Sequence, residues 1–308
     1  MNSEKRLQLL HGDCSKILPS LKKNSISCVI TDPPYNYEFI GRSWDHDEIK
    51  RRMERIQESS TLVKNIPYGS GLAGGVRNER WYQRNRENVV QYIEWAKIWS
   101  RGLMHVCKSG AIVAVFSSTR TLAHVQIALE DAGFYARDVL VYRRSSGIPK
   151  GLNLEKKLVK QNDPTAHDWN GWHTCLRNEW EAIVIVQKPL VNNYMETIRE
   201  TGLGAFKTIL PDGSFQSNIL EGFSKGHEEK FDEHCTIKPI SLMRRLLELF
   251  LPKRDDHIVL DPFAGTGTTL IAAVELGYRA IGIEIEARYI EVIRKRLDQS
   301  LFTAGQLE

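Results

Sequence analysis

A chain of 308 residues, 42% hydrophobic and 26% charged, has the make-up of a globular protein, and its length favours one large α/β domain with insertions over two equal domains. No run of 18 apolar residues is present, and the N-terminal MNSEKRLQLL lacks a signal peptide's apolar core, so neither a membrane span nor export is expected. Cys14, Cys28, Cys107, Cys175 and Cys235 are scattered with no CxxC pair, and His227, His234 and Cys235 fit no common metal spacing, which predicts reduced thiols in a cytosol and no metal site.

In chain order the apolar patterns alternate. Residues 6–11 predict a short strand, 14–21 a helix and 26–31 a strand that ends on Asp32-Pro33-Pro34-Tyr35. Residues 36–88 carry no sustained periodicity and are punctuated by Gly69, Gly71, Gly74 and Gly75, which predicts a long irregular insertion. A helix is expected at 89–107, a buried strand at 111–116, a helix at 119–132, and strands at 135–142 and 182–186. The C-terminal part predicts a helix at 240–251, a strand at 257–261, a helix at 266–276, a strand at 279–284 and a last helix at 288–297. Such alternation predicts a doubly wound, mostly parallel Rossmann-like sheet with helices on both faces. Seven strands are expected, the one near 182–186 antiparallel in a terminal hairpin.

The net charge is +4 but unevenly spread. Residues 41–86 hold ten basic against six acidic residues and 136–177 eight against four, whereas 188–233 hold five against eight. Most charge runs are solvated surface. The stretch RNERWYQRNR at 77–86 differs, because aromatic rings alternate with cations, a pattern suited to nucleic acid. The candidate DNA contacts are Arg42, Arg77, Arg80, Trp81, Arg84, Arg86, Arg143 and Arg144.

Two motifs carry the chemistry. In IVLDPFAGTGTT, at 258–269, an apolar strand ends on Asp261 and passes through Gly265 and Gly267 into a helix; the next strand ends on Glu284, where a carboxylate can accept both hydroxyls of a ribose. Leu270 stands where a dinucleotide fingerprint needs its third glycine, and no phosphate loop is present, so an oxidoreductase is excluded. A turn that opens on a carboxylate suits a ligand with ribose hydroxyls, a cationic group and no phosphate, and S-adenosyl-L-methionine fits. The second motif, ITDPPYN at 30–36, offers the Asp32 carboxylate, the Pro33 carbonyl and the Tyr35 ring at one strand end. Hydrogen bonds from both protons of an exocyclic amine to the first two would free its conjugated lone pair. The two prolines preorganise these acceptors.

ITDPPYN followed late in the chain by VLDPFAGTGTT resembles the amino-group DNA methyltransferases, and the motif order resembles their β class. Leu10–Cys14 and His234–Pro239 resemble that family's further cofactor segments. Residues 39–45, 128–137 and 172–190 are similar to phage and prophage members that methylate adenine. The resemblance implies a permuted methyltransferase sheet, with the C-terminal helix returning to the N-terminal strand and that strand beside the one ending on Glu284. It implies Asp32, Pro33, Pro34 and Tyr35 as catalytic residues. Asp13, Cys14, Thr236, Lys238, Asp261, Phe263, Ala264, Gly265, Thr266, Gly267, Thr268 and Glu284 are the expected cofactor-binding set. The expected division is a catalytic half at 1–48, an inserted DNA-contacting lid at 49–88, the body of the methyltransferase at 89–188, a target-recognition segment at 189–233 and a cofactor half at 234–308. The implied activity is methylation of adenine N6 in double-stranded DNA on a flipped base, in the cytoplasm of a bacterium or from a phage. Cytosine N4 methylation and a non-catalytic DNA-binding subunit are the alternatives. A homodimer and a cognate restriction enzyme stay open as partners.

Overall fold

The computed structural model describes residues 6–35, 79–144, 151–224, 226 and 237–305, with the backbone alone at 79–82, 84, 85 and 299–305. The chain divides into two compact units: residues 1–35, 93–145 and 180–308 form one, and 36–92 with 146–179 the other.

The first unit is built on a sheet. Its strands are β1 (Leu7–His11), β2 (Ile26–Thr31), β3 (Cys107–Ser117), β4 (Tyr135–Arg143), β5 (Trp180–Gln187), β6 (Ile219–Leu220), β7 (Ile258–Asp261) and β8 (Arg279–Glu284). They lie in the order β1-β8-β7-β2-β3-β5-β4-β6. All neighbouring pairs are parallel except those of β5, which is antiparallel to both β3 and β4. Every residue of β2 is buried, as expected of a strand covered on both faces. The permuted order holds: Leu9 of β1 pairs with Gly282 of β8, and the C-terminal helix packs against both strands.

The described sheet has eight strands where the sequence predicts seven. The extra one is the two-residue β6 beside β4, paired through Val141 and Ile219 and too short to leave a periodicity. The 182–186 strand is antiparallel as expected, but β6 displaces its hairpin partner from the sheet edge.

The helices are α1 (Cys14–Ile17), α2 (Glu79–Val106), α3 (Leu122–Asp131), α4 (Leu154–Val159), α5 (Tyr194–Thr201), α6 (Ile240–Phe250), α7 (Thr268–Glu275) and α8 (Ala287–Gly305). α2 starts ten residues earlier than its apolar pattern predicts, so 79–88 are helical, not irregular. Residues 79–88 read ERWYQRNREN, in which the Glu, Arg and Gln residues are good helix formers while Trp81 and Tyr82, side by side, are too few to show a helical apolar period. The rest of the expected lid, 49–78, lies outside the described residues. No helix among the described residues is long and apolar enough to cross a membrane.

The strand order fixes where a ligand can sit. From β7 the chain proceeds to β8 on one side, and from β2 to β3 on the other, while β7 and β2 are neighbours. Their connections therefore diverge, leaving a crevice at the carboxyl ends of this pair, where doubly wound sheets bind ligands. Asp261 ends β7 and Asp32 follows β2.

Candidate active site

The two strand ends are tied together. Thr31 Oγ1 donates a 2.7 Å hydrogen bond to Asp261 Oδ1, which also accepts from the Phe263 amide at 3.1 Å. Asp261 is buried, and that burial pushes its pKa up to about 7. The sequence aims this carboxylate at a cationic ligand group; in the structure it braces the turn from beneath.

Above it the glycine turn is held by a second carboxylate. Gly265 donates its amide to Glu284 Oε2 at 2.7 Å, and Glu286 donates to Oε1 at 2.8 Å. Burial raises the Glu284 pKa, offset in part by these amides. Gly265 and Gly267 have φ of +51° and +82°, left-handed values that favour glycine. A side chain at Gly267 would strike Ile293, whereas one at Gly265 would meet, among the described residues, nothing nearer than the Phe263 carbonyl at 4.0 Å. The space over Gly265 is open to a ligand. Leu270 packs where a Cβ on Gly282 would stand, so the close helix–strand approach is obtained with the glycine on the strand.

Further expected cofactor residues are placed around this turn. Asp13 caps α1 by accepting from the Ser15 amide at 2.8 Å. Cys14 is buried and its thiol pKa is pushed up to about 12, so it stays protonated. The Ala264 amide donates to Ile283 O at 3.0 Å. Thr266 and Thr268 are engaged by Arg296, whose guanidinium is buried and donates to Thr266 O at 2.6 Å and to the two hydroxyls at 3.0 and 3.3 Å. Phe263 stacks against Trp95 and Trp99 of α2, with ring centroids 5.6 and 5.7 Å away. Thr236 lies outside the described residues. The sequence offers no sign of Arg296 or the two tryptophans, which read as ordinary helix residues.

At the turn after β2 the structure gathers more than the DPPY motif. Pro33 is buried. The Tyr35 hydroxyl donates to Asp32 Oδ1. Lys238, which immediately precedes the N-cap of α6, brings its Nζ against Asp32 Oδ2, 3.2 Å from the Tyr35 hydroxyl and 3.2 Å from Glu181 Oε2. Its ammonium also lies 5.0 Å from the centre of the Phe116 ring. Glu181 in turn accepts from Arg144 Nη1 at 3.0 Å. Lys238, expected beside the cofactor, makes its contact with the carboxylate of Asp32.

Burial raises the Asp32 pKa, Lys238 pulls it down, Glu181 pushes it up, and the balance is upward. Burial works against the Lys238 ammonium, but Asp32 and Glu181 outweigh it and hold its pKa above the ordinary value. Burial and the two carboxylates raise Tyr35 well above its usual range, so it remains a phenol that can donate. Glu181 was missed in the sequence because it lies 149 positions from Asp32 (181 − 32), and nothing local marks a strand-opening acid as buried.

Of the expected DNA contacts, Arg143 ends β4, is exposed, and pairs with Glu221 at 3.3 Å. Arg144 follows it and is held by Glu181. Arg86 is exposed on α2; Arg80, Trp81 and Arg84 lie on the same helix with only their backbone described. Arg42 and Arg77 lie outside the described residues.

The chain is 29% identical over 285 residues to the type II methyltransferase M.HindIII of Haemophilus influenzae, the alignment covering 87% of each chain. Two solved structures share the fold. M1.HpyAVI in complex with SAM matches at TM-score 0.55 and 18% identity, over 94% of this chain and 98% of that one. The PvuII DNA methyltransferase (cytosine-N4-specific) matches at TM-score 0.58 and 14% identity, over 94% and 85%. Residues 26–295 match the N6_N4_Mtase family, described as DNA methylase, a span that runs from β2 into α8 and takes in both strand-end motifs. The chain belongs to this family of DNA methylases.

Proposed function

We propose that the protein transfers a methyl group from S-adenosyl-L-methionine to the N6 amine of a flipped adenine at a short site in double-stranded DNA. The observation that carries this reading is the tie between Thr31 and Asp261, which sets the carboxylate-bearing turn after β2 beside the glycine turn after β7.

The residues present fit the cofactor. The open space over Gly265 lets a ligand reach the backbone, and Glu284 at the end of β8 has the chemistry for ribose hydroxyls. Carboxylates at Asp13 and Glu284, with no lysine or arginine in the turn, suit a cationic ligand better than a pyrophosphate. When bound, the cofactor supplies an electrophilic methyl carbon on a sulfonium. Asp32 and the Pro33 carbonyl accept one hydrogen bond each from the target amine and free its lone pair, and the rigid Pro-Pro backbone keeps both acceptors aimed. Tyr35 adds a ring on which a base can stack. A duplex hides the amine, so the base leaves the stack at a cost of a few kcal/mol.

Segment 49–88 and the basic residues Arg143 and Arg144 form the DNA-contacting elements in this reading, and the acidic 189–233 contributes less. The choice of adenine over cytosine rests on the resemblance of DPPY, since the two amines are chemically alike. A cognate restriction enzyme reading the same site, and assembly as a homodimer, belong to the same reading. Labelled methyl transfer to duplex DNA, followed by digestion to nucleosides, tests it. Label in N6-methyl-2′-deoxyadenosine is expected; label in N4-methyl-2′-deoxycytidine, or no transfer, would overturn the substrate assignment.

A further inference from the structure

We propose that Glu181 is a positioning residue for methyl transfer: it shares the Lys238 ammonium with Asp32 and thereby sets how freely Asp32 can take up the target amine. The inference rests on the function proposed above.

In the free protein both oxygens of Asp32 are engaged, Oδ1 by the Tyr35 hydroxyl and Oδ2 by Lys238. An incoming amine must share or displace one of them. Tyr35 can yield only by losing a partner for a half-buried hydroxyl, whose other acceptor, Glu181 Oε2, is 3.4 Å away. Lys238 is better placed to yield, because its Nζ already lies 3.2 Å from Glu181 Oε2. The ammonium can lean from one carboxylate to the other without being stranded as a buried, unpaired charge, an outcome that is strongly destabilising. Among the described residues Lys238 has no second anion once Glu181 is removed, and it stays on Asp32.

Charge points the same way. The groups facing Asp32 are Tyr35 from its own turn, Lys238 before α6, Glu181 from β5 and Asp261 at the end of β7, with Arg144 behind Glu181. With Lys238 shared between Asp32 and Glu181, and Arg144 on the outer oxygen of Glu181, the ammonium neutralises Asp32 only in part, and the carboxylate keeps charge for the amine nitrogen as it becomes positive. Removing Glu181 would leave Asp32 and Lys238 neutralising each other, and that stabilisation would be lost. Arg144 completes the chain: it holds the other oxygen of Glu181, and its side chain is one-third exposed, against 13% for Glu181 itself. Glu181 is thus fixed at both ends.

The test compares E181Q, E181D and K238M with the unchanged protein. Aspartate labelled with ¹³C at the side-chain carboxyl is titrated in the protein without DNA or cofactor, the Asp32 signal being identified by its loss in D32N. The Asp32 midpoint is expected to move to lower pH in E181Q, which removes a like charge, and to higher pH in K238M, which removes an opposite one. With cofactor and duplex DNA, kcat of E181Q is expected to fall about tenfold or more with KM for the cofactor unchanged, and the acid limb of its rate profile to follow the carboxyl titration. E181D should recover part of the rate. Thermal melting checks that each variant is folded. An Asp32 midpoint and kcat in folded E181Q equal to the parent's, or a loss confined to cofactor affinity, would overturn the inference while leaving the proposed function intact. Absence of transfer by the unchanged protein would overturn the proposed function, and the carboxyl titration would still decide whether Glu181 controls Asp32.

Discussion

Thr31 and Asp261 lie 230 positions apart in the sequence, and the hydroxyl of one donates a 2.7 Å hydrogen bond to the carboxylate of the other. This bond ties the strand that carries the Asp32–Tyr35 turn to the strand that carries the glycine turn. Thr31→Val keeps the β-branched shape and removes the donor, leaving Asp261 short of one partner in a buried setting. A loss of about 1–3 kcal/mol in denaturant-derived stability is expected. Stability within error of the parent would show that the bond is incidental.

Asp261 also predicts how stability depends on pH. Its folded pKa of about 7 stands above the ordinary 3.8. Below the ordinary value both the folded and unfolded chains are protonated there, and the group contributes nothing. Between about pH 4 and 7 the unfolded chain releases the proton while the fold retains it, so stability falls as pH rises and levels off above 7. Asp261→Asn keeps an acceptor for Thr31 and abolishes this linkage. The variant should show a smaller drop in melting temperature from pH 5 to pH 8 than the parent. Equal drops in the two proteins would mean that Asp261 is already ionised in the fold.

Asp32 and Glu284 should separate in function. Asp32→Ala is expected to abolish methylation while leaving cofactor affinity nearly intact, because Asp32 belongs to the amine side of the crevice. Glu284→Ala should weaken cofactor binding by about 1–3 kcal/mol through lost charge-assisted hydrogen bonds, and should also free the Gly265 amide that Glu284 now holds. Titration calorimetry reads both. Comparable loss of cofactor by the two variants would contradict the division of roles.

DNA affinity is expected to fall steeply with salt. Arg77, Arg80, Arg84 and Arg86 together should account for several phosphate contacts, each adding about 0.9 to the log–log slope. Replacing all four by alanine should flatten the slope in a fluorescence anisotropy titration. A slope unchanged in that variant would move the DNA surface elsewhere, first to Arg143 and Arg144.

The sequence reading and the structure agree where local chemistry is decisive. The parallel sheet and the two strand-end motifs follow from apolar runs punctuated by Pro, Gly and Asp, which impose themselves within a few residues, whereas the permuted order was legible only through the resemblance of the motif order. The eighth strand was not legible, because two residues cannot show a period. The early start of α2 was hidden because its first ten residues, ERWYQRNREN, carry too few apolar side chains to show a helical period. In the site, Asp32, Tyr35 and Glu284 could be named from their motifs, but the partners that tune them could not. Glu181, Thr31 and Arg296 act through contacts made only when distant strands and helices meet. Lys238 was expected beside the cofactor by motif, and its contact with the Asp32 carboxylate, made by a long side chain from a distant loop, was not legible.

In the proposed reaction Asp32 presents its carboxylate to an adenine amine in DNA. The most direct test maps modified bases in genomic DNA from cells that express the parent protein or the Asp32→Ala variant, in a host without adenine methylation of its own. The expected result is N6-methyladenine confined to one short sequence motif with the parent and absent with the variant. Modification carried on cytosine, or adenine modification equal in the two strains, would contradict it.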